Sequence, residues 1–109
     1  MILTAPTTIQ PVPVSPKYAT ESRILTFDFT NLLGPGESIL SISTSPSATV
    51  ISGNDPNPSD IISGSASLTS PQVYQMITGG IAGTIYQVAV TVTTSENEVL
   101  TGKVVFAVV

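Results

Sequence analysis

Cysteine, histidine and tryptophan are absent from this chain of 109 residues, and each absence removes a class of chemistry. Without cysteine there is no disulfide framework, no thiolate nucleophile and no thiolate metal site. Without histidine as well, the groups left for acid–base or covalent catalysis are carboxylates, tyrosines, Lys17 and Lys103. Without tryptophan, a stacking platform for carbohydrate rests on Tyr18 and Tyr74, because Tyr86 belongs to a core-facing pattern. Charge is scarce too. Charged residues make up 9% of the chain, against about 25% in an ordinary soluble domain. The surface must therefore be covered by Ser, Thr, Asn and Gln, and such a surface resists aggregation poorly. Much of it is expected to lie against partners.

The charges present exclude more. Seven scattered carboxylates stand against Lys17, Arg23 and Lys103, a net charge of −4, so no basic stripe exists for a phosphate backbone to follow and nucleic acid is not an expected partner. No stretch approaches the roughly 20 apolar residues of a membrane span, and the opening Met1-Ile2-Leu3-Thr4-Ala5-Pro6 lacks the basic flank and apolar run of a signal peptide. A soluble chain without a secretion signal or a membrane partner is expected. Its length suits one domain with its own core.

The chain divides near Ser22, giving a proline-rich arm over 1–22 and a domain over 23–109. Pro6, Pro11, Pro13 and Pro16 forbid helix in the arm and favour extended or polyproline II backbone. A solvated tail is normally charged and poor in apolar residues. This one carries Lys17 as its single charge up to Thr20, with Ile2, Leu3, Ile9, Val12, Val14 and Tyr18 spaced between the prolines. Those six residues are the candidate partner-binding set of an arm laid on another subunit.

Beyond Ser22 the apolar period becomes two. Ile24 to Phe29 places Leu25, Phe27 and Phe29 on one face, and Gly34-Pro35-Gly36 ends the run. Further strands are predicted over Ile39 to Thr44, Thr49 to Ser52, Ile61 to Leu68 and Val73 to Thr78; alternating Ser and Gly leave the register of the fourth weakly specified. Thr84 to Thr94 is the clearest element, with Tyr86, Val88, Val90 and Val92 facing one way, and Leu100, Val104, Phe106 and Val108 continue the alternation after a polar hairpin loop. About seven short strands without a helix predict an all-β, immunoglobulin-like or fibronectin type III-like antiparallel sandwich.

No catalytic, metal-binding or cofactor-binding set emerges. Glu96 and Glu98 sit in a hairpin tip, where two acids are ordinarily a solvated turn, and an enzyme would need acids converging in a cleft. Asp55, Asn57 and Ser59 have the first spacings of a calcium loop, but Asp60 stands where the loop needs Gly and Ala66 where it needs Glu. Proline and asparagine there equally suit a plain long turn. The segment Gly80-Ile81-Ala82-Gly83-Thr84-Ile85-Tyr86-Gln87-Val88 says more. It resembles the Leu-x-Pro-Gly-Thr-x-Tyr-x-Val corner of fibronectin type III domains, which makes Ile81, Gly83 and Tyr86 a structural corner with a core tyrosine rather than a binding site.

Two blocks together resemble a family of short tailed-phage virion proteins, the fibre-tail adaptor proteins. One is Phe27-Asp28-Phe29 followed by Leu32-Leu33, Gly36-Glu37 and Ile39; the other is Gly79-Gly80-Ile81-Ala82-Gly83-Thr84 with Tyr86, Val88 and Thr93-Thr94. The likeness covers most of Arg23 to Val109. It implies a non-enzymatic structural component of a bacteriophage virion, assembled in the host cytoplasm, that joins the tail or head-tail connector to fibres. Its implied partners are other virion proteins (connector, tail, fibre or capsid) and copies of itself, with no cofactor. A capsid decoration protein on the same sandwich is the nearest alternative. A module of a bacterial surface adhesin is further off, since such a module is expected to show a signal, repeats or linker-like ends.

Overall fold

The structure, a computed structural model, describes residues 11–109. In chain order its strands are β1 (Val12–Pro13), β2 (Ser22–Asp28), β3 (Ile39–Ser52), β4 (Ile62–Thr69), β5 (Gln72–Thr78), β6 (Thr84–Thr94) and β7 (Val99–Val108), with 3-10 turns at Thr30–Leu32 and Pro58–Ile61. One sheet runs β1-β7-β6-β3 and the other β2-β5-β4. Neighbouring strands are antiparallel except β1, which lies parallel to β7. The chain is an all-β sandwich. Its strand order is consistent with the immunoglobulin-like arrangement, in which the second, fifth and fourth strands form one sheet and the third, sixth and seventh the other.

Period-two alternation builds the core. On β6 every second residue from Thr84 to Thr94 is buried, and β6 pairs with β7 without interruption from Thr84↔Val108 to Thr93↔Val99. The facing sheet supplies Leu25 and Phe27 from β2 and Val73 and Ile77 from β5. Burial of each such side chain stabilises the fold by about 1.5–3 kcal/mol. The rings of Tyr86 and Phe106 stack with centroids 5.7 Å apart. Phe29, just past β2, crosses to the opposite sheet and covers Gly102, where an added Cβ would stand 2.8 Å from its Cζ. A side chain on β7 at that point would displace the ring.

Two stretches differ from the sequence expectation. Ile39 to Ser52, expected as two strands separated by Ser45 to Ala48, is one strand whose pairing with β6 shifts register four times, once between Thr44 and Ser47. β3 is an edge strand, so a proline that cannot donate is absorbed in a bulge instead of ending the strand. On β4 the weak register anticipated from Ser and Gly takes the form of a shift between Ser63 and Ser67. The buried Gln75 of β5 answers it: its Nε2 donates to the carbonyls of Ser63 and Gly64, 3.0 and 3.2 Å away.

The other stretch is the N-terminal region. Ile2, Leu3 and Ile9 lie outside the described residues. From Val12 onward the region read as an arm lies on its own chain's β7. Val14 N–H donates to Val105 O, Lys17 N–H to Ala107 O and Val109 N–H to Lys17 O, at 2.9–3.0 Å. Lys17 itself is only 2% exposed. Its ammonium donates to the carbonyls of Tyr18, Glu21 and Gly79 at 2.8, 2.9 and 2.6 Å, so three donors meet three acceptors. Burial holds its pKa below the ordinary lysine value, against the opposing pull of the Glu21 charge.

Lys17→Met keeps the aliphatic stem and removes the donors. It is expected to lower the unfolding free energy by about 2–3 kcal/mol, the scale of hydrogen bonds to a charged group. Phe27→Ala is expected to cost about 3–5 kcal/mol through the cavity left behind. Urea denaturation of both variants checks the pair; a Lys17→Met chain as stable as the parent would show that the N-terminal segment is held by its β7 hydrogen bonds alone.

Candidate functional site

The corner between β5 and β6 is built by backbone geometry that glycine permits. Gly80 has φ +94°, and an added Cβ would lie 2.8 Å from Val108 Cγ2 and 3.4 Å from Tyr86 Cε2. Both the conformation and the space call for glycine. Gly83, at φ +85°, donates its N–H to Val108 O at 2.8 Å. Ile81 stays partly exposed on the outside of the corner while Tyr86 is fully buried.

The Tyr86 hydroxyl accepts from Ile81 N–H at 2.9 Å and donates to Asp55 Oδ2 at 2.7 Å. The first bond closes the corner on itself, as in the fibronectin-like pattern. The second ties the corner to the loop between β3 and β4. Burial first, and the Asp55 carboxylate second, push the phenol above its ordinary pKa, so it remains a donor. Asp55 Oδ1 accepts from Asn57 N–H at 2.8 Å. Both oxygens of Asp55, the first residue of the partial calcium spacing, thus serve the turn and the tyrosine. No sequence signal marks the link between Tyr86 and Asp55, which are 31 positions apart.

At the opposite end of β6, carboxylate oxygens of Glu37, Glu96 and Glu98 come within 4.8 Å of one another. Glu96 and Glu98 lie in the hairpin between β6 and β7, and Glu37 comes from the turn before β3. Glu37 Oε2 accepts from the Thr94 hydroxyl at 2.5 Å and Oε1 from Gly34 N–H at 2.8 Å. Those hydrogen bonds, Thr94's first, hold the Glu37 carboxyl below its ordinary pKa. They fasten the Gly34–Glu37 turn to the end of β6. The same logic lowers Asp28, which accepts from both the hydroxyl and the N–H of Thr30.

Of the residues assigned to partner binding, Val12 is half-buried beside β7, whereas Val14 and Tyr18 are exposed. Other exposed apolar side chains are scattered: Ile24 on β2, Leu40 and Ile51 on β3, Val99 on β7 and the terminal Val109. Among the described residues no helix is long and apolar enough to cross a membrane.

Two expectations follow. Tyr86→Phe leaves Ile81 N–H and Asp55 short of a partner and is expected to cost about 1–3 kcal/mol in urea denaturation. For Glu37 the folded pKa lies below the unfolded one, so its contribution is complete above the ordinary value of 4.5 and is lost as pH falls through the folded pKa. Glu37→Gln is therefore expected to flatten the fall of the denaturation midpoint between pH 7 and about pH 3. An acid limb identical to the parent's would assign that fall to other carboxylates, Asp28 among them.

The features that organise the chain are thus structural: a glycine corner closed by a tyrosine, a turn closed by a glutamate, and a buried lysine. No curated protein matches the chain. A family model described as "Podophage GP4 fiber-tail adaptor protein gp77" matches residues 17–107, a span that begins at the Lys17 anchor and takes in β2 to β6 with nearly all of β7. The chain therefore belongs to the podophage fibre-tail adaptor family, and is a structural protein of the phage particle.

Proposed function

We propose that the chain is a non-enzymatic adaptor that links the tail, or the head-tail connector, to the fibres through protein–protein contacts, and that it is assembled into the particle in the host cytoplasm. The family match across 17–107 carries this reading. Physical features support it. A chain with 9% charged residues gains little from solvating its surface, and several large apolar side chains stand outward on different strands. Such a surface suits a subunit enclosed by neighbours. The polar groups with the strongest interactions close turns and corners, which is the work of a scaffold. The N-terminal segment that carries Ile2, Leu3 and Ile9 is the attachment arm: its prolines restrict the free chain and so reduce the entropy lost on docking.

Phage produced without this chain tests the reading. Particles are expected to have intact heads and tails and to lack fibres, as judged by electron microscopy and by the protein content of purified particles. Particles that kept their fibres but had shells more easily ruptured by heat or chelation would overturn the adaptor reading in favour of capsid decoration.

A further inference from the structure

Sheet edges are where one β protein accepts a strand from another. Among the described residues four edges are present, and three carry features that discourage pairing. β1 is two residues long, contains Pro13 and is preceded by Pro11 and followed by Pro16, none of which has an N–H to offer. β3 contains Pro46 and four register shifts. β4 contains a register shift and a left-handed Gly64. β2 has none of these: its seven residues pair with β5 in unbroken register from Ser22↔Thr78 to Asp28↔Gln72. Among the described residues no strand covers its other side.

Among the described residues the surface beside β2 is also open. In the constant-type immunoglobulin arrangement a first strand flanks the second in the same sheet. Here the N-terminal strand β1 lies on β7 in the opposite sheet, so that place beside β2 is not taken by β1. Two hollows run along the seam between β2 and the β1–β7 edge. One, of about 180 Å³, is bounded by Val12, Thr26, Phe27, Phe29 and Val104. The other, of about 270 Å³, is bounded by Val14, Lys17, Ile24, Leu25 and Phe106. Their walls combine core side chains with polar and charged ones, Asp28 and Lys103 in the first hollow and Lys17 and Arg23 in the second, and Ile24, 60% exposed, stands on the same strand.

We propose that the free edge of β2 is an acceptor for an extended strand, and that its occupant is the segment Met1 to Gln10 of a second copy of this chain. The proposal rests on the attachment role given to the arm above and names the surface that receives it. Ten residues in extended form reach about 33 Å, more than the seven-residue β2 requires. The segment has no charged side chain to desolvate. Paired as a strand it would carry Met1, Leu3, Ala5, Thr7 and Ile9 on one face and Ile2, Thr4, Pro6, Thr8 and Gln10 on the other, and the first face, apolar at four of its five positions, is the one that suits the hollows. Val12 borders the hollow at the Phe29 end, and Val14 to Lys17 wall the hollow at the Arg23 end. The choice of a second copy as the source of this strand follows from the attachment role given to the arm, which holds one subunit to another.

Two variants of the full chain test this by sedimentation velocity over a range of concentrations. Ile24→Lys places a charge on the acceptor edge at an exposed position, and Leu3→Lys with Ile9→Lys spoils the donor segment. Each is expected to weaken self-association at least tenfold with an unchanged circular-dichroism spectrum and melting temperature. Because donor and acceptor are different surfaces, an equimolar mixture of the two variants is expected to regain association, each mixed pair retaining one intact arm and one intact edge. A parent chain that stays monomeric at millimolar concentration overturns the proposal. So does undiminished association of either variant. Loss in both variants without rescue on mixing also overturns it, and points to β2 pairing with β2. Normal self-association by a chain that is dispensable for fibre attachment would count against the adaptor reading alone.

Discussion

An ammonium group can remain inside a sandwich only if all its protons find acceptors, and Lys17 meets that condition with three backbone carbonyls from two parts of the chain. The requirement couples distant segments. Tyr18 and Glu21 belong to the turn leading into β2, Gly79 begins the corner that leads into β6, and the Lys17 backbone is bonded to both Ala107 and Val109 at the end of β7. Both sheets and the N-terminal segment thus meet at one side chain. Without it the first strand would hold to β7 by a few hydrogen bonds at a proline-rich edge.

The same rule recurs wherever a polar group enters the interior. Gln75 answers the carbonyls exposed by the register shift in β4, Tyr86 joins two loops at one end, and Glu37 with Thr94 closes a turn at the other. Among the described residues no buried side-chain polar atom lacks a hydrogen-bond partner. In a chain so poor in charge these few contacts set the shape of the ends, while aliphatic and aromatic packing between the sheets supplies most of the stability. That division suits a particle component. The ends and the core are settled within the chain, and the strand edges and the uncharged faces are left for neighbours.

Edge management follows from the same economy of charge. Proteins commonly place lysine or an inward charge on exposed edges. This chain uses proline on β1 and β3 and irregular register on β3 and β4, devices that need no charge. The regular edge of β2 stands out against that background.

The alternation of β2, β6 and β7 was legible in the residues themselves, because a period of two has one solution once one face must be dry. Every position that this alternation assigns to the dry face, from Leu25 to Val108, is buried. The glycine-rich corner before Tyr86 was legible for a similar reason, since left-handed backbone and a polar aromatic leave a local mark. The merging of two expected strands into β3 was not legible: whether Pro46 ends a strand or sits in a bulge depends on that strand being at an edge. Neither were Asp55 beneath Tyr86, the convergence of Glu37 with Glu96 and Glu98, or the burial of Lys17 within a stretch that reads as an arm. Local pattern determines which residues want to be inside. Which distant carbonyl, hydroxyl or carboxylate meets them there is decided only when the two sheets close, because such partners are selected by distance in space and leave no period in the chain.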